Sequence, residues 1–315
     1  MKRPSWQARV VSGCSRLIIR RRDWGDTPAL TRRARRLFGA PPLYQRLALR
    51  GIRPEAVLDG GRSRGEWLTP PDAGADSARG VVLYVHGGGY VAGTAATHRP
   101  VTAELARMTG CRVFGANYRR APEARFPAAY DDVVATYQWL VTHEAPGAPI
   151  AVAGESAGGG LALALAVHAR DHGLPAPACV VALSPWTDLA GTGASLRGND
   201  GRCAMFRPEN IPAFASAYLG GAPAEDPRAS PLYAEPRGLP PVLFQVGSSE
   251  LLFDDARRMH DRIVAAGGSS RLSVYEDVMH GWQLLAAFMP EARQALGEVT
   301  EFIRGQFAGG RFGPS

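Results

Sequence analysis

The chain has 315 residues, 45% of them hydrophobic and 21% charged, a globular composition that excludes disorder over most of its length. Its formal net charge is +7, but residues 1–53 carry 14 Lys+Arg against two acids and residues 54–315 carry 22 against 27, so the excess belongs to an N-terminal arm and not to a nucleic-acid-binding body. Four scattered cysteines without a Cys-x-x-Cys pair exclude a structural zinc site or a disulfide framework, and no apolar run reaches the roughly 18 residues of a membrane span.

The basic start is interrupted by Arg9, Arg16 and Arg20, so no signal-peptide core forms, and a soluble, cytoplasmic protein is expected. In the arm, Arg20-Arg21-Arg22 and Arg32-Arg33-Ala34-Arg35-Arg36 read as solvated faces of amphipathic helices, with Leu17, Ile18, Leu30, Leu37 and Phe38 turned the other way. A phosphate or an anionic membrane face is the alternative for those arginines. Beyond Pro41-Pro42 and the loop Pro70-Pro71-Asp72-Ala73-Gly74, apolar runs at 81–85, 111–116, 150–153, 178–183, 242–246 and 271–275 mostly lack alternation, as strands buried on both faces do. Helical spacing fills 97–108, 128–142, 158–171, 254–266 and 291–307, and the alternation predicts an α/β fold with a mostly parallel sheet flanked by helices. The interval from Leu189 to Pro241 breaks this rhythm with Gly/Pro-rich turns around one short helix near 208–219, which suggests a lid.

The run from Ile150 to Gly160 is an apolar strand, then Gly154-Glu155-Ser156-Ala157-Gly158, then a helix. A serine on a strained strand-to-helix turn projects its hydroxyl above the sheet, and the helix points its first amides at developing negative charge. The run 81–85 leads into His86-Gly87-Gly88-Gly89-Tyr90. A dinucleotide fingerprint there requires an acid at the end of the next strand, which instead ends Ala116-Asn117-Tyr118. An oxyanion hole is the better reading, and neither cofactor nor metal is expected. His280 lies in a loop past the last strand, and Glu250, Asp254 and Asp255 follow the strand ending at Val246. Serine, acid and histidine then run in the α/β-hydrolase order. Glu250 is the expected acid, since Asp254 and Asp255 fall where capping and the helix dipole account for them, with Asp254 the alternative.

These motifs, together with Tyr118-Arg-Arg-Ala-Pro-Glu123, Phe126-Pro-Ala-Ala-Tyr-Asp131-Asp132, Ser184-Pro-Trp-Thr-Asp188 and His280-Gly281, resemble the hormone-sensitive-lipase group of bacterial carboxylesterases over residues 54–310. The departures are Asn117, where an Asp often precedes the Tyr-Arg motif, and Glu250-Leu-Leu-Phe-Asp254 in place of Asp-Pro-Leu-x-Asp. The resemblance implies an α/β-hydrolase core at 54–315 and a helical cap made of the arm (1–53) and an insert at about 190–221. It implies Ser156 as nucleophile, His280 as base, and the amides of Gly88, Gly89 and Ala157 as oxyanion hole. Trp186, Met205, Phe206, Phe214, Tyr218 and Trp282 are candidates for an apolar substrate pocket. The expected activity is hydrolysis of short-chain acyl esters through an acyl-enzyme. A deacetylase or amidase of one metabolite with the same triad is the alternative, and a catalytically silent receptor on this fold is a more distant one. The expected partner is a small-molecule ester, with no nucleic acid and no integral membrane segment, and a homodimer is left open.

Overall fold

The computed structural model describes residues 4–39, 44–71 and 80–309; the Pro41-Pro42 stretch and Asp72-Ala73-Gly74 lie outside the described residues. An eight-stranded sheet runs in the order β1-β2-β4-β3-β5-β6-β7-β8. Its strands are β1 (Glu55–Asp59), β2 (Arg62–Leu68), β3 (Val81–Val85), β4 (Arg112–Ala116), β5 (Ile150–Glu155), β6 (Cys179–Leu183), β7 (Val242–Gly247) and β8 (Ser270–Tyr275). From β4 to β8 every pairing is parallel, and the six predicted strands are these six. The β1–β2 hairpin, antiparallel to β4, was not anticipated. Its residues include the exposed Glu55 and Asp59, because an edge ribbon meets water and needs no apolar run.

The helices are α1 (Trp6–Ser15), α2 (Thr27–Phe38), α3 (Gln45–Ala48), α4 (Arg99–Thr109), α5 (Ala128–Trp139), α6 (Ala157–Asp171), α7 (Ser195–Gly198), α8 (Asn210–Leu219), α9 (Phe253–Ala265) and α10 (Pro290–Gly309). The strand period of two divides the core. Val81, Leu83 and Val85 join α5, α6 and α9 on one face, while Val82 and Tyr84 join α4 and α10 on the other. All five residues of β3 and of β6 are buried, which explains their unbroken apolar runs.

The arm and the 190–241 segment lie against each other over the carboxyl ends of the strands. The Trp24 ring packs edge-on to Phe214 of α8 at 5.3 Å. On α2, Arg35 donates to the carbonyls of Val91 (2.9 Å) and Ala121 (3.2 Å) and pairs with both oxygens of Glu123. Leu30 is buried as expected, but Leu17 and Ile18 are not turned inward: they are 60% and 53% exposed. The cause is a π-helical continuation of α1 over Arg16–Arg20. It directs Arg16 onto the carbonyl of Gly201 (2.6 Å) and Arg20 onto Asp200 and the Phe206 carbonyl, which leaves the two aliphatic side chains outside.

Candidate active site

Ser156 sits between the last residue of β5 and the first of α6 with φ 56° and ψ −121°, a conformation that L-residues avoid unless their surroundings fix it. Here they do. Its N–H donates to the Leu183 carbonyl (2.9 Å), and its own carbonyl accepts from Gly160 (3.1 Å) and Trp186 (3.0 Å). The turn also requires bare backbone on both sides. A Cβ on Gly154 would collide with the Gly158 carbonyl, and one on Gly158 with that of Val85.

The loop after β8 carries His280 to this serine. Ser156 Oγ lies 2.9 Å from His280 Nε2, and His280 Nδ1 lies 2.6 Å from Glu250 Oε2. The loop after β7 supplies Glu250, whose Oε1 accepts from the Gly247 N–H (2.6 Å) and the Ser184 hydroxyl (2.8 Å). All three side chains are buried. Burial alone would lower the pKa of His280, but the charge and hydrogen bond of Glu250 outweigh it and hold the imidazole above its ordinary value. The arrangement can therefore draw a proton from the serine hydroxyl and stabilise the resulting imidazolium.

Asp254 and Asp255 are not bonded to His280, and neither caps α9, contrary to expectation. Asp254 accepts from the Ser195 N–H (2.9 Å), and Asp255 accepts from those of Thr187 and Asp188 (2.8 Å each). They point across to the chain leaving β6 because its backbone donors there have no strand partner. Asp255 is pushed up to about 8 by burial and by the nearby charge of Asp188.

Gly88 and Gly89 adopt φ 109° and 60° in the turn after β3. The turn is closed by Val91 and Ala92 donating to the Gly88 carbonyl and by Tyr118 Oη donating to that of His86 (2.9 Å). Among the described residues, the N–H groups of Gly88, Gly89 and Ala157 donate to no protein acceptor, so they remain available to an oxygen above Ser156.

A cavity of about 250 Å³ opens over Ser156. Trp186, Met205, Phe206 and Phe214 line it, as predicted, and Ile19 and Phe38 of the arm complete the apolar side. Tyr218 and Trp282 do not line it. Tyr218 lies one turn beyond Phe214 and stacks on Tyr90 at 3.8 Å, fully buried. Trp282 turns toward the opposite face of the sheet and packs on Tyr275 at 5.1 Å. Among the lining residues that were missed are Glu155 and His98. Glu155 places Oε1 at 3.7 Å from His280 Nε2 and Oε2 at 3.3 Å from His98 Nε2. An acid immediately before the serine was a visible signal for the first; nothing in sequence joins it to a histidine 57 positions away.

A family model described as alpha/beta hydrolase fold matches residues 82–284. An acetyl-hydrolase of Streptomyces hygroscopicus is 37% identical over 254 residues, 81% of this chain and 84% of that protein. An esterase of Acinetobacter venetianus is 35% identical over 227 residues, 72% and 75% of the two chains. The crystal structure of an esterase from the bacterial hormone-sensitive lipase family superposes with a TM-score of 0.86 at 40% identity, covering 98% of this chain and 100% of that one.

Proposed function

Because the chain belongs to the α/β-hydrolase family, in its bacterial hormone-sensitive-lipase group of carboxylic ester hydrolases, we propose that Ser156, His280 and Glu250 are its catalytic triad. The observation that carries this reading is the unbroken hydrogen-bond chain from Ser156 Oγ through both ring nitrogens of His280 to Glu250. Ser156 Oγ attacks the ester carbonyl carbon as its proton passes to His280 Nε2. The oxyanion meets the N–H groups of Gly88, Gly89 and Ala157. His280 returns the proton to the departing alkoxide, and a water activated by the same nitrogen hydrolyses the acyl-enzyme. Glu250 orients the imidazole and offsets its charge without taking the proton.

The substrate class is short-chain acyl esters of small alcohols. A cavity of about 250 Å³ closed by Ile19, Phe206 and Phe214 supports it, and the acetyl-hydrolase name of the Streptomyces relative agrees. The arm at 1–53 and the insert at 190–221 act together as a cap over this cavity, supported by the Trp24–Phe214 packing. The described residues contain no helix long and apolar enough to cross a membrane. A cytoplasmic location is supported by the free thiols of Cys14, Cys179 and Cys203, the last two buried.

The test is a series of nitrophenyl esters from acetyl to octanoyl, with matching amides, against the wild type and Ser156→Ala. Turnover should peak at short acyl chains and vanish in the variant, and an organophosphate should label Ser156 once per chain. Undiminished turnover by Ser156→Ala ends the triad assignment, and faster amide than ester turnover ends the substrate class.

A further inference from the structure

Residues 1–22 hold seven Lys+Arg and no acid, and α1 with its π-helical continuation divides the described side chains between two sides. On the inner side Ala8 and Ser15 are buried, Ile19 lines the cavity, and Arg16 and Arg20 are bonded to the 200–206 segment. On the outer side Trp6, Val10, Leu17 and Ile18 are all more than half exposed, and Arg9, Cys14, Arg21 and Arg22 are exposed with them. Their spacing of three, four and seven residues makes one continuous stripe, with Arg9 at one margin and Arg21 and Arg22 at the other. Among the described residues, none of these three arginines has a carboxylate partner. The start of α1 is anchored by the Ser5 N–H, which donates to Glu291 at 2.6 Å.

Single exposed aliphatic residues are ordinary, but three on one stripe with a tryptophan at its end and three arginines without a carboxylate partner at its margins are not. We infer that this face of the arm docks on the surface of an anionic lipid bilayer, with the aliphatic stripe and Trp6 entering the headgroup boundary and Arg9, Arg21 and Arg22 meeting lipid phosphates. Charge decides the occupant. A second copy of the chain laid on this face would set three arginines against three, with Asp23 beside Arg22 too little negative charge to balance them. A nucleic acid would leave Val10, Leu17 and Ile18 without a partner, since aliphatic side chains offer no stacking surface. Only an anionic apolar interface satisfies both halves of the stripe. Docking also brings a wall of the cavity to the lipid, because Ile19 faces the cavity from the turn whose Leu17 and Ile18 face outward.

The full chain is sedimented with vesicles of phosphatidylcholine alone and of phosphatidylcholine and phosphatidylglycerol in equal parts. The wild type should bind the anionic vesicles at least about tenfold more tightly than the neutral ones, given roughly fivefold per arginine near an anionic surface. Trp24, Trp67, Trp186 and Trp282 are buried and Trp139 is half-buried, so the protection from an aqueous quencher that is lost in Trp6→Ser reports Trp6. The variants Trp6→Ser/Leu17→Ser/Ile18→Ser and Arg9→Gln/Arg21→Gln/Arg22→Gln should each lose at least about tenfold in vesicle affinity. Both should keep wild-type turnover of a water-soluble ester, which shows that the fold and the active site are intact. Any of three results overturns the inference: no vesicle binding by the wild type, equal binding by the triple-serine variant, or a dimer or RNA complex that forms through this face while vesicles are left free.

Discussion

The hydroxyl of Ser184 donates at 2.8 Å to Oε1 of Glu250, the carboxylate oxygen that His280 does not use. With the Gly247 N–H on the same oxygen, Glu250 is held from behind while its other oxygen faces the imidazole. Glu250→Gln should lower kcat by on the order of 10⁴, the usual cost of a triad acid, whereas Ser184→Ala, which removes only a support, should cost about tenfold. Asp254→Asn and Asp255→Asn should retain most of the turnover. Steady-state rates at saturating ester check all four, and a collapse confined to an aspartate variant would move the acid to that residue.

The base must be neutral to accept the serine proton. Burial lowers the pKa of His280, but Glu250, and behind it Glu155, raise it above the ordinary histidine value. The acid limb of kcat/KM should therefore lie above about pH 6.5, with rate lost as pH falls through that raised value. Glu155→Gln removes one of the raising charges, so its limb should move to lower pH while a working triad remains. A pH–rate profile that does not shift would show that Glu155 has no electrostatic hold on the imidazole.

Gly89 lies against the ring of Phe214. A Cβ at Gly89, already at φ 60°, would stand 2.6 Å from Phe214 Cδ1. Gly89→Ala should push the turn off the ring, misalign its amides and lower kcat by about 10²–10³. Gly89→Ala/Phe214→Ala should recover part of that loss, because the obstacle is gone. The double-mutant cycle reads this coupling directly, and strictly additive effects would show that the ring does not set the loop.

Asp255, pushed up to about 8, affects stability in the opposite sense to a carboxylate held in an ion pair. Its folded-state pKa lies above the unfolded value near 3.9, so the folded chain holds a proton that the unfolded chain releases. The stability it contributes is fully present below about pH 4 and is lost as pH rises toward 8. Asp255→Asn has no proton to lose. Its melting temperature should therefore gain on the wild type across that window, and a constant difference from pH 4 to 8 would contradict the shift.

The fold was legible where residues had one environment. The central strands announce themselves because both faces are buried, as at 81–85 and 179–183. The β1–β2 hairpin stays hidden because an edge ribbon mixes Glu and Arg with its apolar residues. Ser156, His280 and Glu250 were legible as candidates because each follows a strand at its carboxyl end, where the topology delivers side chains to one rim, and there they meet in one hydrogen-bond chain. The cavity wall was less legible. Phe214 and Tyr218 are both aromatic residues of α8, yet one faces the cavity and the other stacks on Tyr90, a choice set by packing one turn apart. Leu17 and Ile18 fail for another reason: a π-helical turn shifts the period from which their orientation is read.

Arg35 joins two pieces that are far apart in sequence. Its guanidinium grips the carbonyl of Val91, two residues beyond Gly89, along with Ala121 and Glu123. Helix α2 and the glycine turn are in consequence tied together through one side chain as well as through the core. Swinging α2 outward to admit a bulky ester would unfasten the same turn that aims amides at the oxyanion. Opening at α2 and alignment of those amides would then exclude each other. Esters of large alcohols should then turn over at the pace of reclosure and esters of small ones at the pace of the chemistry.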